Sequence, residues 1–164
     1  MIINLEPIFN IEGSSSEFDY ELDLKDEPFD GTLPFTSPVR VKGRVGNHAG
    51  IVTISAQADF VLDICCDRCA KPLDYPVSIS TEHTLVTSLN DEKNDELLLV
   101  NELRFDVDEL VTDDIFLNLP NKFLCREDCK GLCPTCGKDL NEGSCGCKKE
   151  VDPRLAVLQQ LLDN

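Results

Sequence analysis

Two cysteine pairs some sixty residues apart constrain this chain more than any other feature. Cys66 and Cys69 stand in "CDRC", and Cys125 and Cys129 in "CREDC". The second pair opens the stretch "CREDCKGLCPTCGKDLNEGSCGC", which holds six of the chain's nine cysteines in residues 125–147. A structural zinc takes four ligands, so six cysteines fill one site and leave two over. In "CPTCG", Cys133 and Cys136 lie three positions apart on a tight turn and can reach one metal at about 2.3 Å. Gly137 permits the left-handed turn that aims backbone N–H groups at sulfur. Cys145 and Cys147, in "CGC", supply the other half. Cys133, Cys136, Cys145 and Cys147 therefore form one expected zinc site. Cys125 and Cys129 are four apart and can share a face of a helical turn. Their partners are expected to be Cys66 and Cys69. Such a site closes a long chain loop, where a cross-link can contribute most. The competing reading makes Cys125 or Cys129 a small buried apolar residue. Cys65 is left as the ninth, unpaired thiol; it competes with Cys66 for the first site, but the two-residue spacing to Cys69 favours Cys66.

Clustered cysteines mean different things in different compartments. No run of about 18 apolar residues is present, so no membrane helix is expected. The start, "MIINLEPIFN", lacks the basic region and apolar core of a signal peptide. The expected location is the cytoplasm, where thiols stay reduced and cysteine clusters serve metal or redox chemistry. The formal net charge is −16, which argues against a broad basic nucleic-acid face. The acids are concentrated before residue 120, where 24 face 8 bases; later residues hold 7 of each. The acidic part suits a basic protein, and the cysteine-rich part can approach a phosphate backbone locally.

Hydrophobic periodicity gives the body of the fold. In "IVTISAQADFVLDI", apolar residues occupy every second position from Val52 to Ile64. This predicts a long half-buried strand, favouring an antiparallel sheet with one wet side. "LDYPVSISTEHTLV" resumes the alternation with Leu73, Tyr75, Val77, Ile79 and Leu85, which puts "CCDRC" at the tip of a long hairpin. "EFDYELDLK" and "VRVKGRV" alternate likewise. "DEPFDGTLPFTSP" reads as loop, "GNHAG" as a turn, and "LLLV" and "LRFDV" as short strands. A helix is predicted over about 107–119. Asp106 and Glu109 resemble a capping box, Val107, Leu110, Val111 and Ile115 share a face, and Pro120 ends it. A C-terminal helix is predicted from Asp152, with Pro153 at its first position. The fold class is α+β, mainly β: an antiparallel sheet or half-barrel with a long hairpin, one or two packed helices and a C-terminal zinc-bound module. The expected division is a β domain over 1–120, carrying the Cys66/Cys69 knuckle, and a cysteine-rich module with the C-terminal helix over 121–164.

"CDRCAKPL" after a long strand, then "LPNKFLCREDCKGLCPTCGKDLN", then "CGC" and "DPRLAVLQQL", resembles the YceD family of large ribosomal RNA subunit accumulation proteins. The resemblance covers roughly residues 40–162. It implies a non-enzymatic cytosolic factor that supports accumulation or processing of large-subunit (23S) rRNA. Some family members keep metal-capable residues at the first site and lack the later cluster, which implies two separate sites. The partner implied is pre-rRNA or a basic ribosomal protein, with no membrane and no small-molecule substrate. Two other readings compete. One is a thiol redox protein or switch using its CxxC pairs, which should stand near a βαβ unit. The other is a zinc-ribbon transcription regulator, which needs a basic recognition face.

Candidate contact residues are Lys122, Arg126 and Lys130 beside the first site. Arg40, Lys42 and Arg44, alternating on one strand face, are also candidates, though acids nearby suit a solvated face. His48, in a turn, and His83, facing the apolar side, are spare metal donors where cysteines already suffice. Asp113 and Asp114 point about 100° apart on a helix and are expected to lie on its solvated face.

Overall fold

The computed structural model describes residues 1–88, 97–100 and 103–147. The C-terminal helix expected from Asp152 lies outside the described residues. The elements run β1 (Ile2–Asn4), α1 (Glu6–Asn10), β2 (Ser15–Leu22), β3 (Val39–His48), β4 (Ile51–Cys65), β5 (Pro72–Val86), β6 (Leu97–Leu99), β7 (Arg104–Asp106) and α2 (Val107–Asn118).

Strands β2 to β6 form one curled sheet in the order β2-β3-β4-β5-β6, and β1 pairs with β7 in a second, two-stranded sheet. The long alternating runs are the strands of the large sheet. On β4, Val52, Ile54, Ala56, Ala58, Phe60 and Leu62 are buried, while the residues between them are exposed or half-buried. Burying one face of such a strand stabilises it by about 25 cal/mol per Å² of apolar surface removed from water. Strand β3 runs on to His48, so the turn expected over "GNHAG" shrinks to Ala49 and Gly50. Both have positive φ, at 53° and 83°, as a two-residue hairpin turn requires. The hairpin of β4 and β5 is present, with residues 66–71 at its tip. One strand departs from the antiparallel expectation: β6 pairs parallel to β5, Thr84 opposite Leu97 through Val86 opposite Leu99. Only three residues pair there, and Val100 then closes onto Val86 O at 2.8 Å.

Helix α2 starts where the capping pattern puts it. The Asp106 carboxylate accepts from the Asp108 N–H at 3.0 Å, an N-cap bond worth about 1 kcal/mol. Val107, Leu110, Val111 and Ile115 are buried as one face. The Pro-rich loop after β2 is anchored by Phe35, which is 1% exposed. Its ring lies 5.6 Å from Phe60 and 6.0 Å from Phe116 between centroids.

Asp114 corrects a sequence expectation. Asp113 is exposed, but Asp114 is 6% exposed rather than solvated. Its carboxylate accepts from Thr81 Oγ1 at 2.6 Å and bonds His83 Nε2 at 2.9 and 3.0 Å. A buried carboxylate is tolerated because β5 supplies these polar partners. The bond also accounts for His83, whose Nε2 is held by Asp114 of α2. Asp114→Ala strands both partners, and chemical denaturation should show a loss of about 2–3 kcal/mol. Asp113→Ala should stay within about 0.5 kcal/mol of the parent.

The chain divides into two compact units, Met1–Ile64 with Leu73–Asn121, and Cys65–Pro72 with Lys122 onward. The hairpin tip thus groups with the cysteine-rich segment, where the sequence division at 120 had left it with the sheet.

Candidate metal centres

Both cysteine clusters lie in the second unit. Each begins on a turn with the same hydrogen-bond pattern. In the first, Cys66 N–H donates to Lys71 O at 2.8 Å, and Ala70 N–H donates to Cys66 O at 2.8 Å. In the second, Cys133 N–H donates to Lys138 O at 2.8 Å, and Gly137 N–H to Cys133 O at 2.9 Å. The residue after each second cysteine is left-handed: Ala70 at φ 55° and Gly137 at φ 71°. The "CDRCA" turn therefore repeats the "CPTCG" knuckle with alanine where glycine costs less.

The sulfurs of Cys66, Cys69, Cys125 and Cys129 all lie within 4.8 Å of one another, as do those of Cys133, Cys136, Cys145 and Cys147. Within the first group, Cys66 and Cys129 Sγ are 3.8 Å apart, and Cys69 and Cys125 Sγ 3.7 Å. A tetrahedron of sulfurs about 2.3 Å from a central ion has edges of about 3.8 Å. A disulfide holds its sulfurs at about 2.05 Å. The donor set and spacing thus fit a four-thiolate ion at each cluster. Cys66, Cys69, Cys129 and Cys133 are buried, Cys145 is half-buried, and Cys125, Cys136 and Cys147 are exposed. Cys65 is exposed and belongs to neither group.

The electrostatics point the same way. Burial pushes the Cys66 thiol up, but N–H groups of Cys125, Arg68 and Cys69 outweigh it and bring it down to about 6. At Cys133, the N–H groups of Cys136 and Thr135, with the Cys145 thiol, bring it down to about 6 against burial. Burial and then Cys129 push Cys125 up to about 12. Cys136, then burial, pushes Cys147 up to about 12. The first cluster therefore favours thiolates at Cys66 and Cys129 and opposes them at Cys69 and Cys125, and the second favours one at Cys133 and opposes one at Cys147. Four thiolates in one place require a cation, which inverts this local order.

The frame around the first cluster comes from residues the cysteine spacing does not reveal. Asp67 accepts from Phe123 N–H at 2.7 Å through Oδ2, and its own N–H donates to Phe123 O at 2.9 Å. Arg68 Nη1 donates to Cys129 O at 2.7 Å, and Leu132 N–H donates to Arg68 O at 3.0 Å. Lys71 pairs with Asp139 at 2.9 Å. Asn141 donates to Cys129 Sγ at 3.4 Å. The short-range signal for these residues is the polar filling of "CDRC" and "GKDLN", which spacing arguments pass over. Gly131 carries a positive φ of 73°, and a Cβ there would sit 2.8 Å from Arg68 O. Gly131→Ala should therefore lower the module's stability by about 2 kcal/mol or more. Gly137→Ala meets open space and should cost only about 1–2 kcal/mol for its left-handed backbone. Protease resistance of the metal-loaded chain orders the two variants.

The contact candidates fare differently. Arg40, Lys42 and Arg44 share the exposed face of β3. Arg40 and Lys42 both pair with Asp19, at 3.3 and 3.8 Å, and Arg44 bonds Ser15 Oγ at 2.9 Å. Arg126 bonds Asn141 Oδ1 at 2.8 Å and pairs with Asp128 at 3.3 Å. Lys122 and Lys130 are exposed, and among the described residues neither makes an ion pair. His48 is exposed at the end of β3, and neither histidine stands in a cysteine cluster.

A mainly β body joined to a loop module organised by two four-cysteine clusters defines the class of protein. The profile of the family described as large ribosomal RNA subunit accumulation protein YceD matches residues 54–162. The uncharacterized protein YlbN of Bacillus subtilis is 33% identical over 152 residues, covering 90% of this chain and 88% of its own. An uncharacterized Mycobacterium tuberculosis protein is 33% identical over 101 residues, 59% of this chain and 49% of its own. The chloroplastic large ribosomal RNA subunit accumulation protein YCED homolog 1 of Zea mays is 26% identical over 155 residues, 72% of this chain and 53% of its own. No solved structure matches the chain. The chain belongs to the YceD family, whose name ties it to accumulation of large-subunit ribosomal RNA.

Proposed function

We propose that this chain is a non-enzymatic cytoplasmic factor in large-subunit biogenesis. Its cysteine module, folded around two zinc ions, binds a basic ribosomal protein or pre-rRNA and so supports 23S rRNA accumulation. The observation that carries the reading is the pair of four-cysteine clusters in a chain of this family. Four protein thiolates around each ion leave no open position for water, the arrangement of a structural site. The role of the metal is then to hold a binding surface in shape. No helix among the described residues is long and apolar enough to cross a membrane. The net charge of −16 favours a basic protein as the direct partner, since the acidic body repels a phosphate backbone. Lys122 and Lys130 are the side chains on the module best placed for polar contact, because both are exposed and neither makes an ion pair among the described residues.

Capture from lysate at moderate salt tests this reading. Large-subunit protein or 23S precursor should co-purify with the parent chain and fall away with Lys122→Glu/Lys130→Glu. Deletion should lower the ratio of 23S to 16S rRNA. An unchanged ratio, with no large-subunit component captured, would sink the proposal.

A further inference from the structure

Asn141 lies between Cys136 and Cys145, inside the loop that the second cluster closes, yet its side chain serves the first cluster. Its Nδ2 donates to Cys129 Sγ at 3.4 Å and to Asp139 Oδ1 at 2.7 Å. Its Oδ1 accepts from Lys130 N–H at 2.7 Å and from Arg126 Nη2 at 2.8 Å. An amide has two N–H donors and an oxygen with two lone pairs, so all four capacities are used. Two N–H donors meet at one atom, which makes that atom the oxygen and leaves the nitrogen facing sulfur. Its backbone N–H also bonds Asp139 Oδ1 at 2.8 Å, and Leu140 N–H bonds Gly131 O at 2.9 Å. The 138–142 loop is therefore laid along the Cys125–Cys129 half-site by several bonds at once.

We propose that Asn141 is a positioning residue that couples the two cysteine clusters, so that metal held by Cys133, Cys136, Cys145 and Cys147 raises the affinity of the first cluster for its own ion. This rests on the reading that both clusters take metal. The physical reason is preorganisation. A donor aimed at a ligating sulfur orients the ligand and stabilises its charge, and removing such a donor costs about 10–100-fold in metal affinity. Asn141 supplies that donor only while its loop is ordered. With the second cluster open, holding Asn141 against Cys129 must first offset the conformational entropy of the loop. With the second cluster closed, that ordering has already occurred. Linkage then requires the converse: metal in the first cluster raises affinity at the second by the same factor.

The test is a zinc titration of the full chain against a competing chelator. First-cluster affinity is measured in the parent, in Cys145→Ser, in Asn141→Ala and in the double variant. Cys145→Ser should weaken the first cluster about 10–100-fold, although Cys145 belongs to the other site. Asn141→Ala should weaken it comparably, and the double variant should be no worse than the weaker single variant. Asn141→Asp keeps the two acceptor positions but sets a carboxylate against the Cys129 sulfur, so it should lose at least as much while the loop stays folded. Second-cluster affinity, read in Cys66→Ser with and without Asn141→Ala, should fall on adding the first-site defect and become insensitive to Asn141. First-cluster affinity within about twofold of the parent in Cys145→Ser would overturn the coupling, as would losses that multiply in full in the double variant. Independent loading of both clusters overturns the coupling alone; failure of either cluster to load overturns the metal reading with it.

Discussion

Chelation of metal from the full chain is expected to unfold residues 65–72 and 122–147 while the five-stranded sheet stays folded. Among the described residues of the module, the buried apolar side chains are Phe123 and the cysteines Cys66, Cys69, Cys129 and Cys133. Residues 122–147 contain no helix or strand of the fold. A segment like this cannot bury enough apolar surface to offset its conformational entropy. Its interior is made of cysteine sulfurs, so on the proposed reading metal binding free energy would be folding free energy, about 10–16 kcal/mol for comparable structural zinc sites. The sheet has its own core in Val39, Val41, Val45, Val52, Ile54 and Leu62, none more than 1% exposed. Hydrogen exchange reads the two parts separately. Protection at the amides of Asp67, Leu132 and Cys133 should vanish with chelator, while protection on β3 and β4 persists. Retained protection in the module would mean that it folds without metal.

Acid should release the metal steeply from both clusters. Binding needs four thiolates, so every proton still held by a free cluster must leave. Burial pushes Cys125 up to about 12. Cys69 is raised as well: the Lys71 N–H favours its thiolate, but burial and the Cys66 sulfur outweigh this. At neutral pH these two thiols carry protons in the free chain and none in the loaded chain. Loaded clusters therefore gain affinity as pH rises and lose it as pH falls. Those two protons make the first cluster lose at least about 100-fold per pH unit below 7, and the one held on Cys147 makes the second lose at least about tenfold. Below about 6, Cys66 and Cys133 take up protons too, and both slopes steepen. Zinc affinity measured between pH 7.5 and 5.5 should show these slopes; a pH-independent affinity would mean that the thiolates exist before the metal arrives.

What could be read from sequence follows from the range over which each signal acts. The alternation from Val52 to Leu62 and the helical face of Val107, Leu110, Val111 and Ile115 are local patterns, and both elements stand where those patterns put them. The grouping of Cys66 and Cys69 with Cys125 and Cys129 was suggested because four ligands per site left two cysteines over and the CDRC spacing offered a second pair; the four sulfurs lie together. Strand β1 and helix α1 carried no such signal. Three residues from Ile2 to Asn4 form a strand only because Arg104–Asp106, a hundred residues later, offers a partner edge. Asp114 looked like a surface residue because its partners, Thr81 and His83, come from another element. Asn141 was invisible for a similar reason: its contact is with a sulfur twelve residues back, across the boundary between two apparently separate sites.

The pairing of the cysteines is the claim on which the rest depends, and metal stoichiometry by native mass spectrometry tests it with double variants. The parent chain should hold two ions. Cys66→Ser/Cys125→Ser places both changes in one cluster and should hold one ion. Cys125→Ser/Cys145→Ser divides the changes between clusters and should hold none. One ion in Cys125→Ser/Cys145→Ser, or none in Cys66→Ser/Cys125→Ser, would contradict the two clusters described here.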